Sequence, residues 1–374
     1  MMGGPRHGRW PSTQTVALNG GWGARGRPDW DQDGHRGREG DQVGMEATVL
    51  FIGGTGTISS ACVREAVQLG YRVSVLNRGR SEQLRPLPEG VEVLRADLTD
   101  DAAVAAALAG RRFDAVADFL SFTPDRLQRN LDLLTGRVGQ YLFTSSASVY
   151  AKPVASLPLR ESSPVRNPFW QYSRDKIACE ELVTARYRSE GYPVTIVRPS
   201  HTYDRFAMPL AGGWQQLVRA RAGKPIVVHG DGTSLWTLTH ADDFAYSYAG
   251  LLAQPAAIGE TYHITGDEVL TWDAIARLLA AAAGIGDVDL VHVASETVAR
   301  VVPSLGPGLL GAKAHSVVFD NTKVRQLRPG FAQRVPFVAG ARQIVAGFEA
   351  HPELASHDAE LDAGLDELTR LARG

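Results

Sequence analysis

From Ala47 onward, short apolar runs alternate with longer amphipathic stretches. Apolar runs bounded by Gly, Asp or Asn predict buried strands, and the stretches between them predict the crossover helices of βαβ units. Strands are expected over Thr48–Ile52, Arg72–Leu76, Val91–Arg95, Ala115–Asp118, Gln140–Thr144 and Pro193–Val197. Helices are expected after the first strand through Gln68, around Arg126–Leu134, and from Tyr172 to near Arg188. After Pro199 the pattern breaks into loops and short helices, which predicts a second, smaller lobe. Asp242-Asp243 reads as the opening and cap of a helix that packs back on the main domain. The expected fold is α/β: a doubly wound parallel sheet over 45–200, to which 237–262 returns, with a smaller interleaved C-terminal lobe over most of 201–374.

Composition narrows the class. The chain has 374 residues, enough for a large core, and its 44% hydrophobic and 21% charged content is that of a soluble globular protein. A net charge of -2 argues against nucleic acid as the main partner. Cys62 and Cys179 are far apart and lie within predicted helices, so they read as buried thiols, with neither a disulfide framework nor a metal site expected. No apolar run is long enough to span a bilayer, so no membrane partner and a cytoplasmic location are expected. Residues 1–44 are rich in Gly, Arg and Asp and lack apolar periodicity, so disorder is expected there. Met45 directly precedes the first strand and reads as an alternative translation start; an Arg/Gly RNA-binding tail is opposed by the acids that nearly balance the arginines.

Between the first strand and its helix lies Gly53-Gly54-Thr55-Gly56-Thr57-Ile58-Ser59. A glycine turn of this kind lets the backbone approach a pyrophosphate, which the helix N-terminus then stabilises. Ser59 occupies the third small position. Strand two ends in Asn77-Arg78-Gly79-Arg80, with no acid to repel a ribose 2′-phosphate, so NADP is favoured over NAD. Asp97 and Leu98 follow strand three; Asp97 is a candidate for the adenine amino group and equally for capping the next helix. Tyr172 and Lys176 stand one helical turn apart and share a face, so the ammonium is expected to favour the phenolate. Ser146 would bond the same substrate oxygen. Such a group handles the oxygen while a hydride moves on or off the carbon.

Taken in order, the glycine loop, Asp97, Ser145-Ser-Ala-Ser-Val-Tyr150, Tyr172-x-x-x-Lys176, Arg198-Pro199 and His240-Ala-Asp-Asp243 resemble the short-chain dehydrogenase/reductase superfamily, in its extended or atypical branch of NAD-dependent epimerases and dehydratases. The resemblance covers Ala47 to the C-terminus and implies a Rossmann fold. It implies that Tyr172 is the acid/base, that Lys176 lowers its pKa and binds the nicotinamide ribose, and that Ser146 polarises the reacting oxygen. Pro199 would lie beside the nicotinamide. Dehydratases carry an Asp-Glu pair where this chain has Ala147 and Ser148, and decarboxylase-type relatives carry an acid at the latter, so neither elimination nor decarboxylation is supported.

The diphosphate-binding arginine that follows a Gly-Asp-Gly turn in this branch is replaced by Trp236 after Gly230-Asp-Gly232, and His201 replaces an Asn. Both are taken as substrate-binding. Lys313 and His315 are the only candidates near the missing C-terminal arginine motif. Phe169 and Trp170 read as packing residues, and Trp214 and Trp272 as core of the smaller lobe. The expected activity is an NAD(P)-dependent epimerase acting on a secondary alcohol of a sugar, nucleoside or sugar-nucleotide through a transient ketone. A NADPH ketoreductase and a non-catalytic RNA-binding relative are the alternatives. A homodimer is the assembly that the resemblance implies.

Overall fold

Residue alternation along the apolar runs decides the architecture, because successive side chains of a strand point to opposite faces of its sheet. A computed structural model describes residues 47–79, 84–354 and 357–374, all within one compact unit, Val43–Gly374. The expected disordered segment 1–44 and Arg80 lie outside the described residues. The main strands are β1 (Thr48–Ile52), β2 (Arg72–Asn77), β3 (Glu92–Arg95), β4 (Ala115–Asp118), β5 (Tyr141–Thr144) and β6 (Val194–Pro199). Later come β7 (His201–Tyr203), β8 (Ile226–His229), β9 (Leu235–His240), β10 (Thr261–Ile264), β11 (Val269–Thr271) and β12 (Leu290–Val293). One seven-stranded sheet runs β10-β6-β5-β4-β1-β2-β3, and every pair in it is parallel. The order reverses between β1 and β4, so a crevice opens at their carboxyl ends, where doubly wound sheets bind ligands.

Val49 and Phe51 face one side, where α1 (Thr57–Gln68) packs in one core with Phe244 and Tyr248 of the later helix Ala241–Ala249. Leu50 and Ile52 face the other, against Leu127 and Leu131 of α3 (Pro124–Leu134), which follows α2 (Asp101–Ala107), and Val183 of α4 (Gln171–Glu190). A third core gathers Trp214, Trp236, Trp272 and Phe337 beside the small sheets β11-β9-β7 and β12-β8. α5 (Gln215–Arg221) and α7 (Trp272–Ala282) contribute to it, whereas α6 (Ala241–Ala249) packs in the main core. Trp214 stacks on Phe348 with ring centroids 4.6 Å apart.

The start of α6 departs from expectation. Its helical turn begins at Ala241, so the capping position falls on His240, whose Nδ1 accepts from the Asp242 amide at 3.2 Å. Asp242 instead pairs with Arg64 of α1 at 2.7 Å, and Asp243 accepts from the amides of Arg334 and Val335. Cys62 and Cys179 are buried free thiols. Among the described residues, no helix is long and apolar enough to cross a membrane.

Candidate active site

The crevice begins at the glycine turn. Gly53 has φ +82°, and a Cβ there would lie 2.6 Å from Leu120; a Cβ on Gly54 would lie 2.8 Å from both Val75 methyls. Only glycine fits this close approach. Gly56 precedes α1 and its amide donates to Ser59 Oγ at 2.9 Å, which gives the serine at the third small position a definite task. No acidic residue occupies the first turn of α1, so the helix end keeps its affinity for an anion.

A cleft of about 800 Å³ is lined by Gly53, Thr55, Gly56, Thr57 and Ile58 from this turn, by Asn77 and Arg78 after β2, and by Asp97 and Leu98 after β3. Its far end is Ser146, Tyr172, Lys176 and Pro199. Asn77 Oδ1 accepts from the Gly79 amide at 2.9 Å, while its Nδ2 is buried without a hydrogen-bond partner. An orphaned buried donor in a ligand cleft fits a ribose hydroxyl or phosphate oxygen. Asp97 Oδ1 accepts from the amide and hydroxyl of Thr99 at 2.9 and 2.8 Å, and Arg78 approaches Oδ2 at 3.8 Å. The cap of α2 is Asp100, which accepts from the Ala103 amide, because the helix begins later than the pattern predicts. Arg95 was not foreseen at this end: register pairs it with Asn77, and its guanidinium lies against Gly79. The cradle, the helix end and the orphaned amide together fit a dinucleotide.

Beyond Tyr172 the cleft meets a second cavity of about 300 Å³, lined in part by Ser146, Trp170, Tyr172, His201, Trp236 and Lys313. Ser146 Oγ donates to Ser148 Oγ at 2.9 Å and accepts from the Ser148 amide at 3.2 Å, while Ser173 of α4 also donates to Ser148 Oγ at 2.8 Å. The position that carries an acid in dehydratases thus belongs here to a chain of hydroxyls. Lys176 Nζ donates to the carbonyls of Ser121 and Thr144 at 2.8 and 2.7 Å and lies over the rings of Phe122 and Phe143. Asp118 shapes that support: buried at the end of β4, it accepts from the Leu120 and Ser121 amides, the Ser121 hydroxyl and the Tyr141 phenol.

The expected effect of Lys176 on Tyr172 is not the larger one. Burial raises the phenol above its ordinary pKa, while the Ser146 hydroxyl acts in the opposite direction. Burial also lowers Lys176 to about 8, against the pull of Asp118. The phenol is therefore protonated at neutral pH and stands ready as a proton donor.

His201 and Trp236, both expected at the substrate, meet each other: the indole Nε1–H donates to His201 Nδ1 at 3.0 Å. Indole is only a donor, so Nδ1 is unprotonated. Burial, then the charge of Lys313, holds His201 well below the ordinary histidine pKa. A neutral His201 then carries its proton on Nε2, where it can donate a hydrogen bond. Trp170 packs against the core of the smaller lobe as expected and also lines the cavity, its ring 4.9 Å from that of Tyr172. Phe122, half-exposed beside Tyr172, was equally unforeseen; an aromatic next to a predicted helix carries no signal that separates packing from a cavity wall.

Comparison with known proteins bears on the same features. The model of the NAD dependent epimerase/dehydratase family matches residues 49–265, more than half of the chain. A 2'-dehydrokanamycin reductase from Streptomyces kanamyceticus is 32% identical over 228 residues, covering 60% of this chain and 63% of the relative. A chloroplast stem-loop binding protein of 41 kDa from Arabidopsis thaliana is 28% identical over 258 residues, 66% of each chain. The chain thus spans just under two thirds of the length of these relatives. An epimerase from Methanothermobacter thermautotrophicus shares the fold with a TM-score of 0.68 at 16% identity, covering 83% of this chain and 94% of the other. The glycine cradle, the parallel sheet and the family match agree: the chain belongs to the NAD-dependent epimerase/dehydratase family.

Proposed function

We propose that this enzyme interconverts a secondary alcohol and a ketone on a sugar-type substrate, using NAD(P), without elimination. One observation carries the reading: Ser146, Tyr172 and Lys176 line the end of the cleft, where Ala147 and Ser148 offer no carboxylate. When bound, the nicotinamide supplies or accepts the hydride. In reduction Tyr172 gives its proton to the developing alkoxide, and in oxidation it takes that proton back. Ser146 hydrogen-bonds the same oxygen. Lys176 uses two N–H groups on carbonyls and keeps a third for the nicotinamide ribose.

Epimerisation, in which the hydride returns to the opposite face, is the first form of this reading. A single net reduction with NADPH is the second. It is favoured by Arg78 and Arg95 near Asn77 and by the similarity to the S. kanamyceticus reductase. Incubation of candidate keto-sugars and their alcohols with catalytic amounts of cofactor separates the two. An inverted product without cofactor loss supports epimerisation, and stoichiometric NADPH consumption supports reduction. Under both, Tyr172→Phe is expected to keep cofactor binding and lose turnover by about a hundredfold to ten-thousandfold. Normal turnover in that variant would refute the site. The retained triad and the net charge of -2 support catalysis over the stem-loop binding named for the Arabidopsis relative.

A further inference from the structure

The cavity beyond Tyr172 has an unusual charge balance. Its lining includes Lys152 and Lys313 and no aspartate or glutamate. Lys152 follows the Tyr150 run by two residues and is only 2% exposed. Among the described residues, neither ammonium has a hydrogen-bond or ion-pair partner, although most other buried cations here do: Arg198 is held by Glu180, and Lys176 by two carbonyls. Lys152 is buried and Lys313 partly buried, and both line the cavity with no carboxylate in its wall to balance their charge. Burial, and after it the charge of Lys313, holds the neighbouring His201 below its ordinary pKa, so this histidine brings no second cation to the cavity.

We propose that the substrate carries an oxyanion, a carboxylate or a phosphate monoester, bound by Lys152 and Lys313 while its carbinol lies at Tyr172. This rests on the redox reading of the site and adds the substrate class. The oxyanion is distinct from the cofactor's own phosphates, because the glycine turn lines the larger cleft and not this cavity. A volume of about 300 Å³ lies at the small end of ligand sites and suits one ring with its acidic group. Neutral His201 and the indole faces of Trp170 and Trp236 complete a wall for a sugar-like body. The same lysines disfavour a substrate whose only charge is positive.

The test uses the enzyme saturated with NADPH, so that the cofactor cleft is filled, with inorganic phosphate and acetate standing in for the two oxyanions. Thermal unfolding is followed at constant ionic strength set with chloride. Phosphate, acetate or both are expected to raise the midpoint, and which of them does so distinguishes phosphate monoester from carboxylate. Lys152→Met is expected to weaken the effect about tenfold in apparent affinity, and Lys152→Met with Lys313→Met to abolish it, with NADPH affinity unchanged in both. Absence of any shift in the parent enzyme, or an equal shift in the double variant, would overturn the proposal. Tyr172→Phe should keep the anion response while losing turnover. Anion binding with normal turnover in that variant would remove the redox reading and leave the oxyanion site standing.

Discussion

Tyr172 and Asn77 show how much a single residue's surroundings add to its identity. The spacing from Tyr172 to Lys176 was legible because one helical turn is a local property. The direction of the phenol's pKa was not, since it depends on Phe122 and Trp170 closing around it. Lys152 belongs to none of the sequence motifs, and only the fold buries it. Asn77 was read correctly as a non-acidic end to β2, but its unpaired Nδ2 and the approach of Arg95 come from register across strands. Asn77→Asp places a carboxylate in the cleft at the end of β2, a charge that repels a ribose 2′-phosphate. It is expected to weaken NADPH binding by roughly tenfold or more, about 1.4 kcal/mol, while sparing NADH. Fluorescence titration with both nucleotides measures this, and equal losses for the two would refute the assignment.

At the scale of elements, β1 to β6 were readable to within about two residues because each centres on a short, mostly apolar run, whereas β10, the seventh strand of the sheet, was not foreseen. Asp100 and His240, by contrast, displaced the expected caps, since a shift of one or two residues in a helix start moves the cap to another side chain. The three-residue strands β7 and β11 carry too few positions to show a period. The turn between β1 and α1 is the strictest local constraint. In Gly53→Ala the new methyl meets Leu120 at 2.6 Å on a backbone with φ +82°. A loss of about 1–3 kcal/mol in stability is expected, together with loss of dinucleotide binding. Calorimetric titration and urea unfolding read the two effects, and a variant that binds normally would show that the cradle is not the nucleotide site.

Across the whole molecule, buried lysines leave a signature in stability. Burial lowers Lys152 and Lys176 to about 8 from an ordinary 10.5. Between those values the unfolded chain binds more protons than the folded one, so stability rises with pH through that window and is lost as pH falls through about 8. The difference corresponds to about 3 kcal/mol per lysine. Buried tyrosines such as Tyr172, whose pKa is raised, act in the opposite sense above pH 10. Urea midpoints are therefore expected to climb from pH 8 to 10, with a smaller climb and a higher midpoint at pH 7 in Lys152→Met. A flat profile would contradict the burial of both groups. The second cavity also draws on distant stretches of chain: Ser146, Tyr172 and His201 come from within the family match at 49–265, whereas Lys313, Val317 and Phe319 come from beyond it. One wall of the cavity therefore lies outside the stretch that the family match covers. A lineage could exchange the 309–319 wall and acquire a new metabolite without disturbing the proton donor, so kinship over the shared part speaks for the chemistry rather than for the molecule transformed.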